Sequence, residues 1–144
     1  MPEFRHGDAV APELPAESLD ALTNRYLMWT LRDPGAALEN WRRLLRPGGV
    51  LALVDSTWFP DGLEAASATD VADDFLRLYD DEVREALPLA AARTIEDTRV
   101  LVERAGFVDV EVRPLTTILD LDRRYGVAPG HHVQTKYLVR ARRG

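Results

Sequence analysis

Residues 33–55 read DPGAALENWRRLLRPGGVLALVD, a helix, a tight turn and a buried strand in succession. Asp33 carries a short acceptor side chain suited to capping the helix. Pro34 suits the first helical position, where its missing N–H would have no intrahelical partner anyway. Leu38, Trp41, Leu44 and Leu45 then recur at helical spacing until Pro47, Gly48 and Gly49 end the pattern, which predicts a helix over 34–46. Val50 to Val54 are apolar without alternation, as expected of a strand buried on both faces in a parallel sheet covered by helices. Sheets of that kind bind ligands beyond the carboxyl ends of their strands, so Asp55 falls on the functional rim.

Working outward, Leu19 to Thr23 reads as a strand, and Asn24 to Leu31 carries the chain away from it. With the helix and strand just described it makes a β-α-β unit whose crossover is expected to be right-handed. Upstream, Phe4 to Val10 reads as a short strand entering a loop punctuated by Pro12 and Pro15. Downstream, a turn-rich passage around Pro60, Asp61 and Gly62 precedes Val71, Phe75, Leu78, Tyr79, Val83 and Leu87, an apolar stripe predicting a long amphipathic helix closed by Pro88. Thr94 and Asp97 have capping-box spacing for a further helix, with Leu101, Val102 and Ala105 on its apolar face and Gly106 at its end. Val108, Val110 and Val112 then alternate with Asp109, Glu111 and Arg113 up to Pro114. The last strand is expected over 132–142, with Thr135, Tyr137, Val139 and Ala141 on one face. The short route from Pro114 through Tyr125, Gly126, Pro129 and Gly130 makes its return antiparallel. The fold class is α/β, with a mixed sheet that is parallel early and antiparallel late.

Composition sets bounds on function. The 144 residues are enough for one domain with a real core, and 46% hydrophobic with 29% charged residues is globular. Without repeats or a low-complexity linker, a single domain over 1–144 is the simplest parse. A net charge of -6 argues against a duplex nucleic-acid binder, because phosphate contacts need a basic face. The absence of cysteine excludes disulfides, zinc-thiolate sites and thiol nucleophiles. No apolar run approaches the roughly 20 residues of a membrane helix, and MPEFRHGD is no secretory signal, so the expected setting is cytoplasmic. Acidic residues crowd the stretch from Asp61 to Glu85, and basic ones, Arg123 to Arg143, the end of the chain. Two solvated faces account for that asymmetry.

GDAV followed by LPAESLDALTNRYLMWTL, then DPGAALENWRRLLRPGGVLALVD, and finally TRVLVERAGFVDVEVRPL resembles the carboxyl-terminal part of a class I S-adenosylmethionine-dependent methyltransferase. The resemblance is to the small-molecule, type 11 or ubiquinone-biosynthesis-like kind, and covers nearly the whole chain. It implies a partial Rossmann-like methyltransferase fold with S-adenosylmethionine as cofactor. The family's glycine-rich first turn and the acidic end of its second strand have no match here, since no GxG spacing occurs. By resemblance the chain therefore begins at the family's third strand as a truncated domain, the strand at Leu19 to Thr23 being left with an unpaired edge. Either Phe4 to Val10, a second copy of the chain or a partner chain fills that edge, or the segment frays, and dimerisation or aggregation follows as an expectation.

The same resemblance implies the site residues. Asp8 and Ala9 match the third-strand motif and would sit beside the adenine, Asp8 accepting from the exocyclic amine; a plain turn carboxylate is the alternative. Asn24 and Arg25 fall where the family touches the methionine part of the cofactor. Trp29, following Tyr26 and Leu27, either lines the site or joins the core. Asp55, with Ser56 and Thr57, faces the substrate entrance and either orients or deprotonates the acceptor, or caps a turn. Trp58, Phe59 and Tyr79 belong to the substrate-variable region, as an apolar lid or as core. His131 and His132 bring no metal-ligand set with them and read as a surface turn, as does His6, so no metal is expected. Two functions follow: S-adenosylmethionine-dependent methyl transfer to a small-molecule acceptor, or a non-catalytic methyltransferase-like remnant that pairs with a partner through its open edge.

Overall fold

The computed structural model describes residues 1–59, 79–128 and 131–144. Strand β1 (Leu19–Arg25) leads through a 3-10 turn (Met28–Thr30) to helix α1 (Pro34–Leu44) and strand β2 (Leu45–Asp55). After the short helix α2 (Asp81–Glu85) come α3 (Glu96–Arg104), β3 (Phe107–Pro114), α4 (Thr116–Tyr125) and β4 (Tyr137–Arg143). The four strands lie in the order β1-β2-β4-β3, with β1 parallel to β2 and both pairings of β4 antiparallel. The mixed sheet expected from the sequence is therefore present. The turn-rich passage at Pro60 to Gly62, the positions Val71, Phe75 and Leu78, and Pro129 with Gly130 lie outside the described residues.

Helix α1 forms as its sequence dictates. Asp33 Oδ1 accepts from the Ala36 amide at 2.8 Å, and Pro34, Ala37, Leu38, Trp41 and Leu44 make the buried stripe. It ends at Leu44 instead of Arg46 because Leu45 turns extended and already pairs with Leu19 across a register irregularity in the β1–β2 ladder. Two of the carbonyls released at its end find donors outside the helix: the Arg43 carbonyl accepts from the Glu17 amide, and the Arg143 guanidinium binds the carbonyls of both Arg43 and Leu45.

Pairing places Leu22, Asn24, Leu51, Leu53, Asp55, Val139 and Ala141 on one sheet face. There Leu38, Trp41, Val102 and Phe107 close over Leu51, Leu53, Val139 and Ala141 to form the main core. The opposite face corrects the sequence reading, since Val50, Ala52 and Val54 are only half-buried. An apolar run without alternation marks a strand whose two faces are both apolar; burial of both depends on cover that the run itself does not specify.

Six further expectations change. Phe4 to Val10 forms no strand: Phe4 is exposed, Asp8 curls the backbone by accepting from the Val10 amide, and α1 holds the Ala9 and Val10 carbonyls through Trp41 and Asn40. In the described part of the long amphipathic stripe, the helix covers only Asp81–Glu85, started by Asp80 accepting from the Val83 amide. The Thr94 capping box does not form, because the Asp97 amide bonds the Thr94 carbonyl and Ile95 occupies the cap. In β3, Asp109 has φ 52° and a bulge shifts the register. Val108 therefore pairs with Arg142 on the face opposite Val112, and alternation fails. Helix α4 stands where a short connection was expected, and β4 begins at Tyr137 instead of His132.

Candidate functional site

The carboxyl ends of the parallel pair β1 and β2 create the rim. Tyr26 leaves β1 with φ 57°, a left-handed conformation uncommon for a bulky residue, while its amide still bonds the Val54 carbonyl at 2.9 Å. That turn sends Leu27 to Thr30 back over the end of β2. On β2 the chain emerges at Asp55, and Ser56 is latched by its hydroxyl donating to the Thr135 carbonyl at 2.6 Å ahead of β4. Two loops are thereby fixed side by side.

Asp55 is only 2% exposed, so its chemistry is set by its immediate neighbours. Its Oδ1 accepts from the Trp58 indole N–H at 2.6 Å and from the Ser56 amide at 2.9 Å, whereas Oδ2 is buried without a hydrogen-bond partner. Burial raises its pKa, with Trp58, Ser56 and the backbone amides of Met28 and Trp29 acting in the opposite sense. One register step back on the same face, Asn24 pairs with Leu53 and buries both side-chain amide atoms without a partner. Buried polar groups in folded proteins are generally satisfied, so two such groups on one face single out the strand ends as the candidate site.

Half-buried aromatic rings close around these groups. Trp29 lies 6.0 Å from Trp58, 5.6 Å from Phe59 and 5.5 Å from Tyr79 in a stacked arrangement, and Tyr26 meets Trp58 edge-on at 4.7 Å. The Arg25 guanidinium sits 4.5 Å over the Tyr26 ring. A smaller apolar cluster of Leu87 and Ala90 supports Trp29, Phe59 and Tyr79 from outside the main core. The structure thus gathers Arg25, Trp29, Asp55, Trp58, Phe59 and Tyr79 into one group, with Asn24 facing it. Tyr26 completes the ring set; its place at a strand end before a loop was the available signal for it.

Asp8 and Ala9 are positioned differently. Asp8 is exposed and uses Oδ1 in a local turn, and the Ala9 carbonyl accepts from Trp41 in the third turn of α1 at 2.8 Å. Since α1 starts near the rim at Pro34, its third turn lies roughly 10 Å further along the helix axis. His131 and His132 are exposed in the loop before β4. Among the described residues no group of three His, Cys, Asp or Glu could hold a metal ion, and no helix is long and apolar enough to cross a membrane.

Residues 1–53 match the family model described as a methyltransferase domain, a match that ends at Leu53 inside the strand delivering Asp55. Residues 1–53 thus carry a methyltransferase-domain sequence, and the chain shares the fold of solved methyltransferases. No curated protein matches it significantly by sequence. Among solved structures, a methyltransferase candidate from Bacillus halodurans C-125 is 19% identical with TM-score 0.58, over 98% of this chain and 77% of that one. A phosphoethanolamine N-methyltransferase 2 from Haemonchus contortus, in complex with phosphomonomethylethanolamine and S-adenosylhomocysteine, is 15% identical with TM-score 0.54, over 94% of this chain and 36% of its own. The [4+2]-cyclase SpnF is also 15% identical with TM-score 0.58, over 97% and 55%. The chain therefore spans about a third to three-quarters of the length of these relatives.

Proposed function

We propose that the chain serves S-adenosylmethionine-dependent methyl transfer to a small-molecule acceptor, and that Asp55 and Asn24 are its principal polar contacts. The observation that supports this is the pair of buried, unpartnered groups on the sheet face that ends at the rim, in a chain whose first residues match the methyltransferase domain. One core reaching from Met28 to Ala141 supports treating residues 1–144 as a single domain.

The donor set fits part of the cofactor. Asn24, with a free donor and a free acceptor, suits the ammonium and carboxylate of a methionine moiety, with Arg25 beside it as a second polar contact. When bound, S-adenosylmethionine supplies a methyl group already activated on a sulfonium sulfur, so the protein's share is placement and exclusion of water. Trp58 and Ser56 fix Asp55 Oδ1, which leaves Oδ2 to orient the acceptor or take its proton. Trp29, Phe59 and Tyr79 exclude water above it. Asp8, with Oδ2 uncommitted, and the Ala9 amide are the proposed adenine contacts.

Calorimetric titration of the folded chain with S-adenosylmethionine and S-adenosylhomocysteine tests the reading. Binding tighter than about 100 μM, roughly -5.5 kcal/mol, that weakens in Asn24→Ala is the expected result. Silence from a folded, monodisperse sample overturns it. The cyclase SpnF, on the same fold, shows why such a test is needed, since fold alone does not set the chemistry.

A second reading, a non-catalytic module that pairs with a second copy or a partner chain, rests on a separate observation. Among the described residues β1 pairs only with β2, which leaves its outer row of backbone groups open to another strand.

A further inference from the structure

We propose that the part of the rim framed by Asp55, Trp29 and Trp58 receives a small organic cation, the alkylammonium group of an amine acceptor. This names the acceptor class for the methyl-transfer reading and rests on it.

Charge is the first argument. Asp55 is 2% exposed, and among the described residues no ion pair includes it. The groups that answer it are all N–H dipoles, Trp58 and Ser56 on Oδ1 and the backbone amides of Met28 and Trp29 beside the carboxylate, and none carries a full positive charge. A carboxylate buried this far is costly unless a cation answers it, and the free Oδ2 is where that cation would bond. An anionic acceptor would meet like charge at the same place, and a purely apolar one would leave Oδ2 unpaired.

The rings make the second argument. Indole faces attract alkylammonium ions through their quadrupole, tryptophan most strongly. Trp29 and Trp58 stand at 6.0 Å from each other, both half-buried, with Phe59 next to Trp29. The rim already shows this chemistry within the chain, because Arg25 lies over Tyr26 at 4.5 Å; Tyr79 stacks on one face of Trp29, and among the described residues no cation lies over either indole. A carboxylate beside two indoles binds a cation and discriminates against its neutral isostere.

Position separates this subsite from the one proposed for the methionine end. Asn24 lies on β1 and Asp55 on β2, two residues beyond the Leu53 that Asn24 pairs with. The strand spacing alone is about 4.8 Å, so the two polar groups serve two different parts of a bound pair.

The test follows tryptophan emission of the full chain titrated with tetramethylammonium chloride, with sodium chloride as the ionic-strength control and neopentyl alcohol as the neutral isostere. A saturable change is expected for the cation, with the alcohol at least about fivefold weaker. Asp55→Asn keeps the shape and the Oδ1 acceptor, and should weaken the cation at least about tenfold while circular dichroism shows the fold unchanged. Trp58→Leu should weaken it independently. Equal response to cation and alcohol, or undiminished binding by folded Asp55→Asn, overturns the proposal. So does displacement of tetramethylammonium by S-adenosylmethionine but not by S-adenosylhomocysteine, which would give the site to the cofactor's sulfonium. Methyl-transfer failure reads separately: calorimetric silence toward both adenosyl compounds, with the tetramethylammonium response intact, removes the acceptor role and leaves the cation site standing.

Discussion

Burial disfavours the charged form of Asp55, and the Trp58 indole with the Ser56, Met28 and Trp29 amides only partly offsets it, so its carboxyl titrates above the ordinary 3.8. The folded protein then holds this proton more tightly than the unfolded chain does, and the residue's contribution to stability declines as pH rises from about 3.8 through the raised value. Asp55→Asn keeps an oxygen for Trp58 and Ser56 and carries no charge. Its stability relative to wild type should therefore improve with rising pH through that window, read as the difference in urea midpoints at matched pH; a flat difference would place the carboxyl in an ordinary solvated setting. A variant gaining stability while losing the tetramethylammonium response is what a functional carboxylate produces. Gly49 makes the complementary structural case. A Cβ there would stand 2.8 Å from the Arg46 carbonyl and 3.2 Å from that of Asp20, both backbone atoms that cannot rotate away. Gly49→Ala should cost about 1–3 kcal/mol in chemical denaturation, since crowding here must move the β1–β2 ladder itself. Asp55 was legible because an acidic residue ended an apolar strand. Asn24 was legible as a site residue only by resemblance, its orphaned amide being a property of register.

At the scale of elements, α4 shows what the sequence withholds. Its residues TTILDLDRRY have no side-chain cap at Leu115 and none of them is buried, so the helix stands without the cap and the core-facing stripe that α1 has. What holds it is a contact across fourteen residues of chain: Lys136 pairs with Asp122, and the Lys136 carbonyl accepts from the Leu115 amide at 2.8 Å. The two side chains are 10% and 20% exposed, sheltered enough for the pair to count. Asp122→Ala should cost about 1–3 kcal/mol and speed amide exchange in 116–125 far more than in β2. Unchanged protection of α4 would show that its backbone, not the pair, keeps it in place. By contrast α1 was readable almost to its last turn, because cap, proline and stripe are all local. Its end was misplaced by two residues, as the Leu45–Leu19 pairing that stops it is a tertiary contact. The β3 bulge at Asp109 was hidden for the same reason: six residues of clean alternation carry no mark of which one a partner strand will leave unpaired.

At the scale of the molecule, one face of the sheet is buried and the other is only half-buried along β2. Helices α1 and α3 bury the face of Leu51, Leu53 and Val139, whereas Val50, Ala52 and Val54 remain half-buried and Ala21 and Thr23 on β1 are exposed. The class of the sheet was legible from the sequence, since the apolar runs and connection lengths specify parallel early and antiparallel late pairing, whereas the strand order β1-β2-β4-β3 comes from the structure. The state of its edge was not, because Phe4 to Val10 had strand composition and yet is held by α1 through Trp41 and Asn40. An exposed edge with unpaired amides and carbonyls next to a half-apolar face lowers its free energy by pairing, and among the described residues β1 is an edge strand that adjoins such a face on β2. Association should accordingly rise with concentration in light scattering. Thr23→Lys, at an exposed position of β1 away from the core face, should require about tenfold more protein for the same association, because a lysine must be desolvated for another strand to dock. The substitution leaves Asn24, Asp55 and the indoles in place, so the tetramethylammonium response should persist. A chain that stays monomeric at high concentration would show the β1 edge to be protected in solution, and would remove the support for the pairing module while leaving the rim site untouched.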